Sequence, residues 1–78
     1  MDTALIYTKL TEVFREVFDE DIAVVPELSA EDVDEWDSLA HLRLLLTVER
    51  TFSIKFSAAE IGQLGNVGAL VDLIQSKL

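Results

Sequence analysis

Hydrophobic residues recur every three or four positions in three stretches of the chain, which is the spacing of an amphipathic helix. The first stretch runs from about Leu5 to Phe18, the second runs from Ser38 to about Phe52, and the last follows Asn66. The positions predicted to face a common core are Ile6, Leu10, Val13, Phe14 and Val17 in the first stretch, and Val67, Leu70, Val71 and Ile74 in the last. Because each stripe must be buried against another element, the pattern predicts an all-α protein.

Residues with capping chemistry precede each predicted helix. Thr3 stands before the first helix, Asp37 before the second and Asn66 before the last. Their side-chain oxygens can accept the free amide protons of a first helical turn. Ser57 is followed three positions later by Glu60, and this capping box predicts a short third helix.

A long connection separates the first two helices. Residues 19–37 show no sustained period, and Pro26 prevents a continuous helix there. Ser29 and Asp32 have capping-box spacing, which predicts one short helical turn within the connection. We therefore expect residues 1–78 to form a single domain, a four-helix bundle with a long first loop and a short third helix.

The second helix is too apolar for one buried stripe. On a helical wheel, one arc of apolar residues contains Leu44, Leu45, Val48 and Phe52, and another contains Leu39, Leu42 and Leu46. Together they span roughly 220°, about twice what a surface helix buries. One interpretation is a central helix that is buried on most sides. The other is that one arc packs inward while Leu42 and Leu46 face a partner.

Composition and charge narrow the classes of function. The formal net charge is −9, and nine of the fifteen acids lie between Asp19 and Asp37, which argues against a nucleic-acid partner. The chain has no cysteine, so it has neither a disulfide nor a thiolate metal site. No apolar run approaches the roughly 20 residues that span a bilayer, so we expect no membrane insertion. The first residues carry no secretory signal pattern, which predicts a cytoplasmic location.

Ser38 is the candidate functional residue, because its hydroxyl is predicted to lie on the first turn of the second helix. The single histidine, His41, does not fit the elbow geometry of a hydrolase, and no Gly-x-Ser-x-Gly motif is present. We expect no catalytic residue, and we interpret Ser38 as a residue that another enzyme modifies. A phosphate ester there would be stabilised by the free amides and the positive end of the helix dipole. Residues 32–36 lack the glycine of a calcium loop, so no metal site is predicted.

Asp37-Ser38-Leu39 follows a long loop, Glu49–Phe52 ends the second helix, Ile54–Ser57 come next, and Asn66-Val67 begin the last helix. In this order and spacing, the segments resemble an acyl carrier protein over nearly the whole chain. The resemblance implies that Ser38 carries a covalent 4′-phosphopantetheine arm, transferred from coenzyme A by a phosphopantetheinyl transferase with a divalent metal. It further implies that Asp37 helps to engage the transferase and its metal, and that Leu39 contacts the transferase.

The resemblance also implies a function without enzymatic activity. The thiol of the arm would hold acyl groups as thioesters and deliver them between enzymes. The expected partners are the transferase, an acyl-loading ligase or acyltransferase, and a downstream synthase or transferase, and the carrier itself is expected to be a monomer. Small charged surfaces give the fast, reversible encounters that such a shuttle requires.

One departure from the family concerns the second helix. Carriers of fatty acid synthesis usually have acids near the start of this helix, whereas this chain has Ala40–Arg43 there and Arg50 further along. Only Glu49 has the negative charge that is usual in the family. This suggests a specialised lipid, polyketide or sugar-modification pathway. We predict that Leu42, Leu46 and Glu49 form the partner-binding surface. A peptidyl or D-alanyl carrier remains an alternative, as does an unmodified helical adaptor that binds through the two leucines.

His41 and Trp36 lie close to Ser38 in the sequence. We interpret His41 as a packed or half-exposed side chain rather than one that steadies a thioester. We expect Trp36 to cover the edge of the core.

Overall fold

The computed structural model describes residues 1–78 and contains helices without strands. The elements, in chain order, are helix α1 (Thr3–Phe18), a 3₁₀ turn (Ala30–Asp32), helix α2 (Ser38–Phe52), helix α3 (Ala58–Gly62) and helix α4 (Val67–Lys77). The predicted architecture is thereby confirmed: four helices, a long first loop and a short third helix.

Three of the predicted helix starts are confirmed by their capping bonds. The Asp37 carboxylate accepts a hydrogen bond of 2.8 Å from the Ala40 amide at the start of α2. The Asn66 side chain accepts one of 2.9 Å from the Ala69 amide at the start of α4. At α3, the Ser57 hydroxyl accepts from the Glu60 amide while the Glu60 carboxylate accepts from the Ser57 amide. Local sequence therefore determines where these helices begin.

The first helix begins earlier than predicted. Asp2, and not Thr3, is the cap of α1, and its carboxylate accepts a hydrogen bond of 2.9 Å from the Leu5 amide. Thr3 is the first residue of the helix. Aspartate and threonine are both good caps, and the carboxylate adds a favourable interaction with the positive end of the helix dipole.

The core is entirely apolar and lies between the inward faces of α1, α2 and α4. Its members are Ile6, Leu10, Val13, Phe14, Phe18, Leu28, Val33, Trp36, Ala40, Leu44, Leu45, Val48, Phe52, Ile54, Val67, Leu70, Val71 and Ile74. Val17, predicted to face inward, is only half-buried, whereas Phe18 is buried. Trp36 packs edge-to-face on Phe14, with ring centroids 5.4 Å apart, and so covers the edge of the core as expected.

The long loop is fixed to the beginning of α4. The Val67 amide donates to the Leu28 carbonyl at 2.9 Å, and the Gly68 amide donates to the Pro26 carbonyl at 3.0 Å. These bonds use amides that have no partner within the helix. A Cβ atom at position 68 would lie 3.3 Å from the Pro26 carbonyl oxygen, so glycine permits this close approach. The loop thus delivers the chain to the start of α2 in a defined position.

Candidate functional site

Ser38 is the first residue of α2, and its side chain is exposed. The cap bond to Asp37 holds the Ala40 amide, and the His41 amide donates to the Asp37 carbonyl at 2.8 Å. The amides of Ser38 and Leu39 are the remaining ones of the first turn, and they have no helical carbonyl to bond. An exposed hydroxyl therefore stands at the positive end of a helix of 15 residues.

A cleft of about 450 Å³ opens beside Ser38. Its walls come from the start of α2, from α3 with the turn after it, and from α4, and its lining residues include Trp36, His41, Leu45, Ile61, Leu64 and Leu70. Half of the twelve lining residues are hydrophobic. The cleft therefore offers an apolar surface within reach of the exposed hydroxyl.

Trp36, His41 and Ile61 form a chain of hydrogen bonds along one wall of this cleft. The Trp36 indole Nε1 donates to His41 Nδ1 at 3.0 Å, and His41 Nε2 lies 3.1 Å from the Ile61 carbonyl oxygen. An indole nitrogen only donates and a carbonyl only accepts, so these two contacts fit the tautomer that carries its proton on Nε2. Both ring nitrogens are occupied, and neither is available to activate Ser38. His41 is a packed, half-buried residue, as predicted.

Helix α3 buries none of its residues completely and is held by polar contacts of Glu60 and Ile61. His41 bonds to the carbonyl of Ile61 in its last turn. The Lys77 ammonium lies 3.1 Å from the Glu60 carboxylate. The hydrogen bond from the Ser57 amide lowers the pKa of Glu60 below its ordinary value, and the contact with Lys77 lowers it further. These contacts keep α3 against the cleft that it borders.

The apolar arcs of α2 separate as the partner interpretation requires. Leu44, Leu45, Val48 and Phe52 are buried in the core. Leu39, Leu42 and Leu46 are exposed at 68%, 45% and 50% of their surface, so the helix is not buried on most sides. Ala40, which the wheel places on the polar side, is buried, because at about 100° per residue it lies only about 40° from the buried Leu44. Binding of a partner to the exposed leucines stays a prediction.

Glu49 has a structural contact that sequence reasoning missed. α2 ends at Phe52. Its C-cap, Ser53, lies in the left-handed region with φ of 57°, and the chain then folds back. The Phe56 amide donates to the half-buried Glu49 carboxylate at 2.7 Å. This bond links residues seven positions apart across a turn, and no local motif indicates it. A role of Glu49 in partner binding would be additional to this hydrogen bond with the Phe56 amide.

Two further findings concern metal ligands and membrane-spanning helices. No group of three or more histidine, cysteine or acidic side chains is arranged to hold a metal ion. None of the helices combines the length and the apolar character that crossing a membrane requires.

No protein-family model and no curated protein sequence matches the chain. Among solved structures, the fold is similar to the solution NMR structure of a holo acyl carrier protein from Geobacter metallireducens. The TM-score is 0.84 and the sequence identity 44%, and the match covers 91% of this chain and 83% of the other. The chain belongs to the acyl carrier protein family. Acyl carrier proteins are carriers and not enzymes, which agrees with a serine whose only nearby histidine has both nitrogens bonded.

Proposed function

We propose that residues 1–78 form one acyl carrier domain, that Ser38 bears 4′-phosphopantetheine, and that the protein delivers acyl groups between enzymes. The single observation that supports this most is the exposed Ser38 hydroxyl at the first turn of α2, directly after the Asp37 cap. When bound, the arm supplies a thiol that holds acyl groups as thioesters. The cytoplasm, where coenzyme A is available as donor, is the proposed location.

The residues around Ser38 fit such a group. The unpaired amides of Ser38 and Leu39 and the positive end of the α2 dipole favour a phosphodiester at this position. One oxygen of the Asp37 carboxylate accepts the Ala40 amide proton. Its other oxygen can face the transferase and its divalent metal. Leu39 is the most exposed of the large apolar residues at 68%, which supports the proposed contact with the transferase.

The partners that we propose are the phosphopantetheinyl transferase, an acyl-loading ligase or acyltransferase, and a downstream synthase or transferase. Leu42 and Leu46 begin one turn after Ser38 and are about half exposed. A partner that covers these leucines would bring its active site to the same end of α2 as the attachment serine. Burying two leucines gives a contact that is favourable and still reversible.

A specialised lipid, polyketide or sugar-modification pathway is proposed from the charges on α2. Arg43 and Arg50 are exposed there, and Glu49, the only acid of the helix, is half-buried with its carboxylate on the Phe56 amide. A partner that selects carriers by an acidic second helix would find little to bind. Peptidyl or D-alanyl carriers share the same chemistry with a different cargo, and the charges do not separate them from acyl carriers.

The experiment that tests the proposal is modification by a transferase. The purified protein is incubated with coenzyme A, Mg²⁺ and each of several broad-range phosphopantetheinyl transferases, and its intact mass is measured. We expect the mass to rise once, by a single arm. Ser38→Ala should abolish the rise, while Ser76→Ala, which alters an exposed serine on α4, should leave it unchanged.

A wild-type chain that stays unmodified with every transferase would contradict the proposal. The alternative of an unmodified helical adaptor, binding through Leu42 and Leu46, would then replace it. Modification of the Ser38→Ala variant would instead move the attachment site elsewhere in the chain.

A further inference from the structure

Charge along this chain changes sign at Ser38. Nine acids and no lysine or arginine lie between Asp19 and Asp37. After Ser38, α2 carries two arginines, Arg43 and Arg50, and a single acid, Glu49. The attachment serine therefore stands at the boundary between an acidic loop and a cationic helix face.

The two arginines share one face of α2 with the exposed leucines. At about 100° per residue, Leu39, Leu42, Arg43, Leu46 and Arg50 fall within an arc of about 100°. With a rise of about 1.5 Å per residue, this stripe is about 17 Å long and starts one residue after Ser38. All five side chains are exposed, whereas the opposite face of the helix is in the core. We call these five residues the α2 stripe.

Neither arginine of the α2 stripe is paired, although the molecule has an excess of acids. The two ion pairs of the structure join Arg15 to Asp21 and Lys77 to Glu60. Arg43 and Arg50 take part in neither. Their guanidinium groups keep their planar sets of N–H donors free, and such groups bind carboxylates in a bidentate manner.

A partner group in contact with the α2 stripe interacts mainly with the charges nearest to it. At physiological ionic strength, the screening length is about 8 Å, so a group that touches the α2 stripe interacts only weakly with distant acids of the loop. The nearby charges are Arg43, Arg50 and Glu16 of α1, which lines the same surface depression as the two arginines, so two cations face one acid there. The net charge of −9 acts at longer range, on the approach of a partner. A partner that covers both sides of Ser38 thus meets opposite charges on the two sides.

We propose that the α2 stripe docks a partner enzyme whose apolar groove is bordered by carboxylates, placed to pair with Arg43 and Arg50. This inference rests on the proposed carrier function, because the docked enzyme must reach Ser38. The leucines of the α2 stripe enter the groove of the partner and supply the apolar contact. The guanidinium–carboxylate pairs set the orientation of the docked enzyme. An enzyme with a cationic groove is disfavoured by like-charge repulsion, which makes the two arginines determinants of partner choice.

The test uses the pantetheine-bearing protein and a pair of matched probes. One probe is a carrier-dependent ketosynthase with lysines and arginines around its carrier groove, and the other is the same enzyme with those residues replaced by glutamate. The measured quantity is kcat/KM for transfer of the acyl group from the loaded carrier. We expect the wild-type carrier to favour the glutamate-bearing probe by about tenfold or more, and Arg43→Glu/Arg50→Glu to reverse this preference.

Arg43→Glu and Arg15→Glu provide the comparison, since both make the same change of net charge, and Arg15→Glu additionally removes an exposed ion pair with Asp21. Arg15 is an exposed residue of α1, outside the α2 stripe. Arg43→Glu should shift the preference between the probes, and Arg15→Glu should leave it nearly as in the wild type. Equal shifts in these two variants would overturn the proposal, since the effect would then come from net charge. A preference between the two probes that is unchanged in Arg43→Glu/Arg50→Glu would also overturn the proposal.

Two controls separate the possible failures. Each variant is first modified at Ser38 and checked by circular dichroism, so loss of the carrier function itself appears as a missing mass increase. Sedimentation velocity of the wild type and of Arg43→Glu/Arg50→Glu tests whether the acidic loop of a second copy covers the α2 stripe. A wild-type dimer that the double reversal dissociates would assign the stripe to self-association and overturn the proposal.

Discussion

The hydrogen bond between Trp36 and His41 can be tested by removing each partner in turn. His41→Leu takes the acceptor away from the Trp36 indole, which lies in a residue only 9% exposed, and also removes the donor to the Ile61 carbonyl. A buried donor left without a partner costs about 1–3 kcal/mol. The half-buried position of His41 lets water reach the Ile61 carbonyl, so we expect a loss of about 2 kcal/mol in the free energy of unfolding.

The assay is urea denaturation followed by far-ultraviolet circular dichroism, which does not depend on the tryptophan. Trp36→Phe and the double variant Trp36→Phe/His41→Leu complete a double-mutant cycle. In the phenylalanine background no indole donor remains, so His41→Leu should cost less there, by a coupling energy of about 1 kcal/mol. If the losses in unfolding free energy of Trp36→Phe and His41→Leu add up to that of the double variant, the hydrogen bond between Trp36 and His41 does not stabilise the fold, which would refute this prediction.

Three further predictions concern the core, the pH dependence and the acidic loop. Phe52→Ala should lower the free energy of unfolding by about 3–5 kcal/mol, because Phe52 is 6% exposed, and a urea midpoint equal to that of the wild type would contradict its burial. The pKa of Glu60 is held low by the Ser57 amide and Lys77, so its contribution is present above the unfolded-state pKa and lost as the pH falls through the folded-state pKa. Melting temperatures of Glu60→Gln between pH of about 7 and about 3 should therefore fall less steeply with acid than those of the wild type, and parallel curves would refute this. Added salt should raise the melting temperature, because the acids of residues 19–37 repel one another, and a melt indifferent to ionic strength would count against this reasoning.

The parts of the site that could be predicted are those encoded within a few residues. Asp37 caps the helix in which Ser38 is the first residue, and both positions follow from a polar residue placed directly before an apolar helical pattern. Ser57 with Glu60 predicts α3 for the same reason. The start of α1 shows the limit of such reasoning: adjacent good caps compete, and Asp2 prevails over Thr3.

Contacts between distant segments could not be predicted. His41 and Ile61 are twenty positions apart, and their hydrogen bond exists because α3 packs beside the first turn of α2. The bonds from the α4 amides to the loop carbonyls of Pro26 and Leu28 are equally invisible in the sequence, since a backbone group has no residue-specific signal. The cleft beside Ser38 is lined by residues of segments that are distant in the sequence, among them His41, Ile61 and Leu70.

By itself, the sequence determined four helices, the caps of three of them, a serine candidate at the start of the second helix, and more apolar surface on that helix than one face can bury. Only the tertiary structure decided which arc of α2 is core and which carries Leu39, Leu42 and Leu46 to the surface. The physical reason is that helical periodicity depends on neighbours three or four positions away, whereas burial depends on which other helix lies against each face.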